Sequence, residues 1–406
     1  MKILQINCVY GVGSTGKLTK ALHTALLAEG ADSIVLYGRG PDAHAPGVHR
    51  LCGNFYGKVN SLLSRFTGLR YGGCRLATQK AIRILQKEQP DVVHLQCING
   101  NFINIYRLVS WLKEHQIPTV LTLHAEFMFT ANCSHAFDCE RWKTGCGKCP
   151  RRYAASKSLL LDRTHASFLR MQRAFSGFGA ALRVVSVSPW LMERAKSSPI
   201  FSETNHCVIL NGVDTGVFHQ YRAENLSELH NVSHKKTIFH ATAMFSDVKE
   251  DPKGGWYVLR LAEEMPDAVF LVAGKHRLRG SLPENVTLLG EIRDQTLLAR
   301  YYSLADLTVL TSKRETFSMV CAESLCCGTP VAGFCAGAPE QISLPQYGRF
   351  VPHGDLDALR NCIRQMLATP HDAQQIALAA RARYAEETMI EKYKALYQEV
   401  LCSEQK

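Results

Sequence analysis

A chain of 406 residues is too long for one ordinary hydrophobic core, so two domains of about 200 residues are the natural expectation. Its 47 Lys and Arg against 36 Asp and Glu give a net charge of +11, which favours anionic partners: nucleotide phosphates, nucleic acid or an anionic membrane surface. The absence of any apolar run of about 18 residues excludes a transmembrane helix. The first ten residues, with Gln5 and Asn7 among them, read as a strand and not a signal peptide. The 15 cysteines then read as reduced thiols in a cytoplasmic setting, not as a disulfide framework.

Strands alternate with helices from the start. Strands are predicted at 2–9, 33–36, 92–95, 119–123 and 182–187, with helices at 15–28, 79–87 and 106–115 between them. This order implies an α/β domain with a parallel sheet. The first turn, Gly11-Val-Gly13-Ser-Thr-Gly16-Lys17-Leu18, satisfies a dinucleotide fingerprint and comes close to a P-loop. A P-loop needs Ser or Thr where Leu18 stands. An NAD site needs an acid at the end of the second strand, which instead runs Leu36-Tyr37-Gly38-Arg39. What survives is a loop whose missing side chains let backbone approach a ligand.

From residue 57 to 87 every charged side chain is basic, namely Lys58, Arg65, Arg70, Arg75, Lys80, Arg83 and Lys87, with Val59, Leu62, Leu63, Phe66 and Leu69 alongside. That pattern suits either an anionic bilayer or a helix with a solvated basic face. His94 and His124 each end a predicted strand, where loop residues meet ligands. Cys133, Cys139, Cys146 and Cys149 crowd one loop; structural zinc, ordinary reduced thiols and redox chemistry are all readings of that spacing.

Asn211-Gly212-Val213-Asp214 is a turn signal at a change of composition, and a hinge is expected at about residues 212–235. A second series of strands follows at 237–241, 269–273, 286–288, 307–311 and 331–334. Lys253-Gly254-Gly255 opens its first helix, where a lysine can reach a diphosphate. The most informative stretch is Ser312-Lys-Arg-Glu315-Thr-Phe317-Ser-Met-Val320-Cys-Ala-Glu323, followed by Gly328-Thr-Pro330-Val331 and Gly337-Ala-Pro339-Glu340. A strand, a loop and a helix over 318–327 put the amides of Phe317, Ser318 and Met319 at a helix start, where phosphate binds. Glu323 lies deeper along that helix, at a depth suited to a ribose diol, and Glu315 lies before it, on the sugar side of the phosphates.

The Glu, seven residues, Glu pattern and its flanks resemble the retaining family-four glycosyltransferases of the GT-B fold. The resemblance implies two Rossmann-like domains facing across a cleft: an acceptor-side domain at 1–211, a nucleotide-sugar domain at 212–385, and a final helix within 386–406 packing back on the first. It further implies transfer of a sugar, with retention, from a nucleotide-diphosphate donor to a saccharide or lipid-linked saccharide acceptor in surface polysaccharide biosynthesis. Glu315, His124 and Lys253 would be catalytic. Gly13, Ser14, Gly16, Phe317, Ser318, Met319 and Glu323 would bind the donor. The family's Thr-x-His-Asp context has Ala125 in place of its acid, and its usual arginine ahead of Lys253 is missing, which leaves either Lys249 as a substitute or the phosphate to Lys253 and the Ser318 helix alone. The cysteine loop looks like one in exopolysaccharide enzymes of the colanic-acid type.

No catalytic cofactor is expected, since positive charge replaces a metal at the diphosphate; structural zinc in the cysteine loop is the one metal considered. The protein is expected in the cytoplasm, peripheral on the inner face of the membrane. A sugar-nucleotide epimerase on a similar frame is the alternative. A nucleic-acid-binding module is the other, but no interleaved aromatic and basic motif supports it.

Overall fold

A computed structural model describes residues 1–155 and 157–402. Contacts divide the chain into residues 1–210 with those from Ile390 onward, and Asn211–Met389. The first unit contains a parallel sheet of β1 (Lys2–Asn7), β2 (Asp32–Tyr37), β3 (Val48–Arg50), β4 (Val92–Leu95), β5 (Thr119–Leu123), β6 (Leu182–Ser186) and β7 (Asn205–Val208). Their order is β3-β2-β1-β4-β5-β6-β7. Side chains on both faces of the central strands are buried, as along Val92, Val93, Leu95, Val120, Leu121 and Leu123. That is why these strands read as unbroken apolar runs instead of alternating patterns.

The second unit contains β8 (Lys236–Ser246), β9 (Ala268–Arg277), β10 (Val286–Gly290), β11 (Leu307–Leu310), β12 (Val331–Phe334) and β13 (Gly348–Val351), in the order β10-β9-β8-β11-β12-β13. A core of Ile238, Phe270, Val272, Leu307, Val309, Ala332 and Phe334 packs with Val258, Leu261, Leu359 and Ile363 of two helices. Strand order reverses between β1 and β4 in one sheet and between β8 and β11 in the other. At such points the loops leaving the carboxyl ends diverge and open a crevice for ligand.

The stretch 212–235 carries the short helix Glu224–Leu229, and the final helix runs Glu386–Cys402. His94 is a core residue and not a site residue. It is fully buried between the Tyr397 hydroxyl at 2.7 Å and the Thr122 hydroxyl at 2.8 Å, and Thr122 also meets the Tyr393 hydroxyl at 2.9 Å. Burial pushes its imidazole down to about 3, so it stays neutral while tying the last helix to the first sheet.

Gly212 is needed for packing: a Cβ there would stand 2.7 Å from the Glu386 Cα. The Glu386 amide donates to the Val213 carbonyl at 3.0 Å, and the Gly212 amide faces the Met389 sulfur at 3.2 Å. Burial, then the neighbouring Asp214 and Glu387 charges, push the Glu386 carboxyl up to about 7. A carboxyl raised in the fold favours the folded state below its unfolded value of 4.5, and this contribution is lost as pH rises through about 7. Glu386→Gln is therefore expected to raise the melting temperature by a few degrees at about pH 8 and to leave it unchanged near pH 4. Calorimetry of the two proteins at both pH values checks this; an equal shift at both would contradict it.

Candidate active site

In the second unit the loops after β8 and β11 flank the reversal point. The first is pinned to the second by its backbone. Asp251 Oδ1 accepts from the Lys253 amide at 2.8 Å, the Lys313 amide donates to the Pro252 carbonyl at 2.8 Å, and the Thr311 hydroxyl donates to the Lys253 carbonyl at 3.1 Å. Gly254 makes this approach feasible: its φ is +71°, and a Cβ would lie 2.2 Å from the Thr311 carbonyl oxygen. Lys253 is thereby delivered to the end of β11, where its ammonium meets Glu315 Oε1 at 2.7 Å. Both side chains are partly exposed, so the pair contributes little to stability and can be re-partnered by a charged ligand.

Glu315 owes its position to Glu340, a residue the sequence offered only as part of a pattern. The two carboxylate oxygens of Glu340 accept from the amides of Ala336 at 3.0 Å and Gly337 at 2.9 Å. That fixes the turn after β12, whose backbone brackets Glu315: the Glu315 amide donates to the Ala336 carbonyl at 3.0 Å, and the Ala338 amide donates to the Glu315 carbonyl at 3.2 Å.

The helix Met319–Cys326 starts at Ser318, which sits at φ +85°, a conformation unfavourable for a residue with a Cβ. The first-turn amides of any helix lack an intrahelical partner; here the Ser318 hydroxyl caps that of Cys321 at 3.3 Å. The amides that the Ser318 side chain leaves uncapped at the start of this helix are those of Met319 and Val320, both half-buried, whereas Phe317 and Ser318 precede the helix and are buried. Val320 was not among the predicted residues. Four residues beyond Met319, about 6 Å along the helix, Glu323 Oε2 accepts from the Tyr302 hydroxyl at 3.2 Å. Burial foremost keeps that phenol well above its ordinary value, so it remains a donor that orients Glu323. Tyr302 comes from the helix Gln295–Leu304, and no local motif marks it. Lys249 lies with its ammonium 5.0 Å from the centre of the Trp256 ring, and Arg277 lines a cavity of about 370 Å³ with Asp251 and Arg279.

In the first unit the helix Gly13–Ala28 begins directly after β1 without a side-chain cap or an acidic residue in its first turn. Gly13 and Ser14 are exposed. Gly16 is buried, and a Cβ there would meet Val9 at 3.0 Å, so its missing side chain serves the turn's packing. His124 follows β5. Its Nε2 lies 3.1 Å from Gln96 Oε1, and Gln96 Nε2 donates to Gln5 Oε1 at 2.9 Å. That chain makes Nε2 the protonated nitrogen. Burial pushes the ring down to about 4, so His124 is neutral at pH 7 and acts through hydrogen bonds, not charge.

Two residues after His124, the fully buried Glu126 pairs with Arg194 at 2.5 Å and accepts from the Ala136 amide. Arg194 lies over the rings of Trp142 and Trp190. Together they anchor the cysteine loop. Cys133, Cys139, Cys146 and Cys149 are free and partly buried. The thiols of Cys133 and Cys146 are pushed up to about 12, by burial first and then by the nearby cysteines. The four are close enough to influence one another, yet among the described residues no three His, Cys, Asp or Glu side chains stand in metal-ligating geometry.

The profile described as Glycosyltransferase Family 4 matches residues 15–217, half of the chain, and that described as Glycosyl transferases group 1 matches residues 256–369. The chain belongs to glycosyltransferase family 4. This glycosyltransferase is 24% identical over 98% of its length, and 100% of the relative's, to WcaC of Escherichia coli, a glycosyl transferase assigned to colanic acid biosynthesis. Sucrose-phosphate synthase from Thermosynechococcus elongatus superposes with a TM-score of 0.70 at 16% identity, covering 99% of this chain and 100% of the other. HepE of Anabaena in complex with UDP gives 0.67 at 15%, covering 98% and 100%. The two parallel sheets are those of the GT-B fold, as expected.

If Glu340 positions Glu315, Glu340→Ala should lower kcat about a hundredfold and change donor KM little, with the secondary structure by circular dichroism intact. Steady-state kinetics of the variant check this, and kcat within twofold of the parent would contradict it.

Proposed function

We propose that this glycosyltransferase moves a sugar, with retention at the anomeric carbon, from a nucleotide-diphosphate donor to a saccharide acceptor carried on lipid, in surface polysaccharide biosynthesis. The observation that carries the reading is the Lys253–Glu315 pair, set beside the Ser318-capped helix at the point where strand order reverses. A diphosphate at the Met319 and Val320 amides competes with Glu315 for the Lys253 ammonium. Lys253 then stabilises the charge that builds on the leaving phosphate, in place of a divalent metal. Glu315, released, accepts hydrogen bonds from the sugar hydroxyls. Glu323, steered by Tyr302, accepts from the ribose. In the first unit, Gly13, Ser14 and neutral His124 are assigned to the sugar end of the donor, with Gly16 shaping their turn. The leaving phosphate assists the acceptor hydroxyl on the same face, so no covalent nucleophile is required. The complex of HepE with UDP and the colanic acid assignment of WcaC agree with this donor class and pathway type. Work on a carried acceptor places the protein on the cytoplasmic face of an anionic membrane.

Free nucleoside diphosphates are expected to raise the melting temperature and duplex DNA to leave it unchanged. Donor should turn over in the presence of chelator and only when acceptor is supplied. Lys253→Ala should lower kcat about a hundredfold or more. Donor consumption without acceptor would point to an epimerase, and loss of activity to chelator without unfolding would overturn the metal-free account.

We also propose that the loop bearing Cys133, Cys139, Cys146 and Cys149 takes up structural zinc, its thiols turning inward and losing their protons on binding. Four soft donors near one another, partly buried and not disulfide-linked, support this. Metal analysis of the purified protein should find one zinc per chain, lost in Cys146→Ser; a content near zero removes the site.

A further inference from the structure

The helix Asn54–Thr67 is built inside out. Phe55, Val59, Leu62, Leu63 and Phe66 recur at i, i+4, i+7, i+8 and i+11, the apolar stripe that a surface helix normally turns to its core. Here all five are exposed, Phe55 by 79% and Leu63 by 55%. The face turned inward is small and polar. Gly57 is the helix's one buried residue, Tyr56, Asn60, Ser61 and Ser64 are half-buried, and Asn60 Oδ1 accepts from the Cys74 amide at 2.9 Å.

A second apolar segment, nearly a hundred residues later, lies beside this stripe. The Leu159 amide donates to the Arg65 carbonyl at 2.8 Å, and Gly68 packs so closely against this segment that a Cβ would stand 2.3 Å from the Leu161 carbonyl oxygen. Leu159, Leu160 and Leu161 are themselves exposed by 47%, 65% and 45%. Two exposed apolar runs brought together by backbone contacts make a patch of the kind that marks an interaction surface.

Its charge identifies the occupant. No acidic residue lies between Asp42 and Glu88, or between Glu140 and Asp162, while Lys58, Arg65, Lys157 and Arg163 are exposed in or beside the two runs. Asp162, at the edge, accepts from the Cys149 and Thr164 amides. Leucine and phenylalanine set among lysine and arginine complement a surface with negative headgroups over an apolar interior.

We propose that the helix Asn54–Thr67 and residues 157–161 form one membrane-docking face, which inserts its Leu and Phe side chains between anionic headgroups. This deepens the reading of a lipid-carried acceptor and rests on it only for its purpose. The test is flotation of the full chain with vesicles of phosphatidylcholine alone and with phosphatidylglycerol added, for the parent protein and for Leu63→Asp combined with Leu160→Asp. Both positions are exposed, so the fold and the thermal shift by nucleoside diphosphate should be unchanged; that shift reports donor binding separately from docking. Binding is expected to the anionic vesicles and to fall about tenfold in the double variant. Three results would overturn the proposal: no flotation of the parent, equal flotation of the variant, or a dimer in sedimentation analysis that the substitutions dissolve, which would make the face a contact between copies.

Discussion

The geometry of the candidate site descends from one carboxylate and two amides. Glu340 holds the turn after β12, that turn brackets the backbone of Glu315, and Glu315 receives the ammonium of Lys253. Each link is a short polar contact. The loops at the ends of the parallel sheet are mostly buried or half-buried, and their order comes from backbone amides accounted for one by one. Ser318 adds a local strain to this frame, an unfavourable φ that persists because its hydroxyl caps the helix it starts.

The charges are arranged to be exchanged. Lys253 and Glu315 neutralise one another in a partly exposed setting, where breaking the pair costs little. A ligand with concentrated negative charge can take the lysine and leave the carboxylate for hydroxyl groups. In the first unit, by contrast, titration is suppressed: burial keeps His94 and His124 neutral, one as a strut to the last helix and the other as a hydrogen-bonding group at a strand end. That contrast separates two histidines that look alike as strand-terminal residues.

Much of this was legible in the residues. The unbroken apolar strands, their alternation with helices, and the Gly, Pro and Glu pattern from Ser312 to Glu340 led to two parallel sheets and to the loop carrying Glu315. What escaped the sequence depended on pairing across distance. Tyr302 reaches Glu323 from a neighbouring helix, Arg194 reaches Glu126 across 68 residues, and the leucines at 159–161 join a helix a hundred residues upstream. Gly16 packs against Val9, a reason for its missing side chain that a glycine fingerprint does not record. Which amides are left uncapped at the helix tip, Val320 among them, depends on where the helix begins, and that was not legible to the residue.

A crystal structure of the full chain with a nucleoside diphosphate bound would test the central claim most directly. The account predicts the phosphates at the amides of Met319 and Val320, the Lys253 ammonium drawn off Glu315 onto them, and the ribose hydroxyls on Glu323. A nucleotide seated elsewhere, or one bound with the Lys253–Glu315 pair still closed and Glu323 turned away, would contradict it.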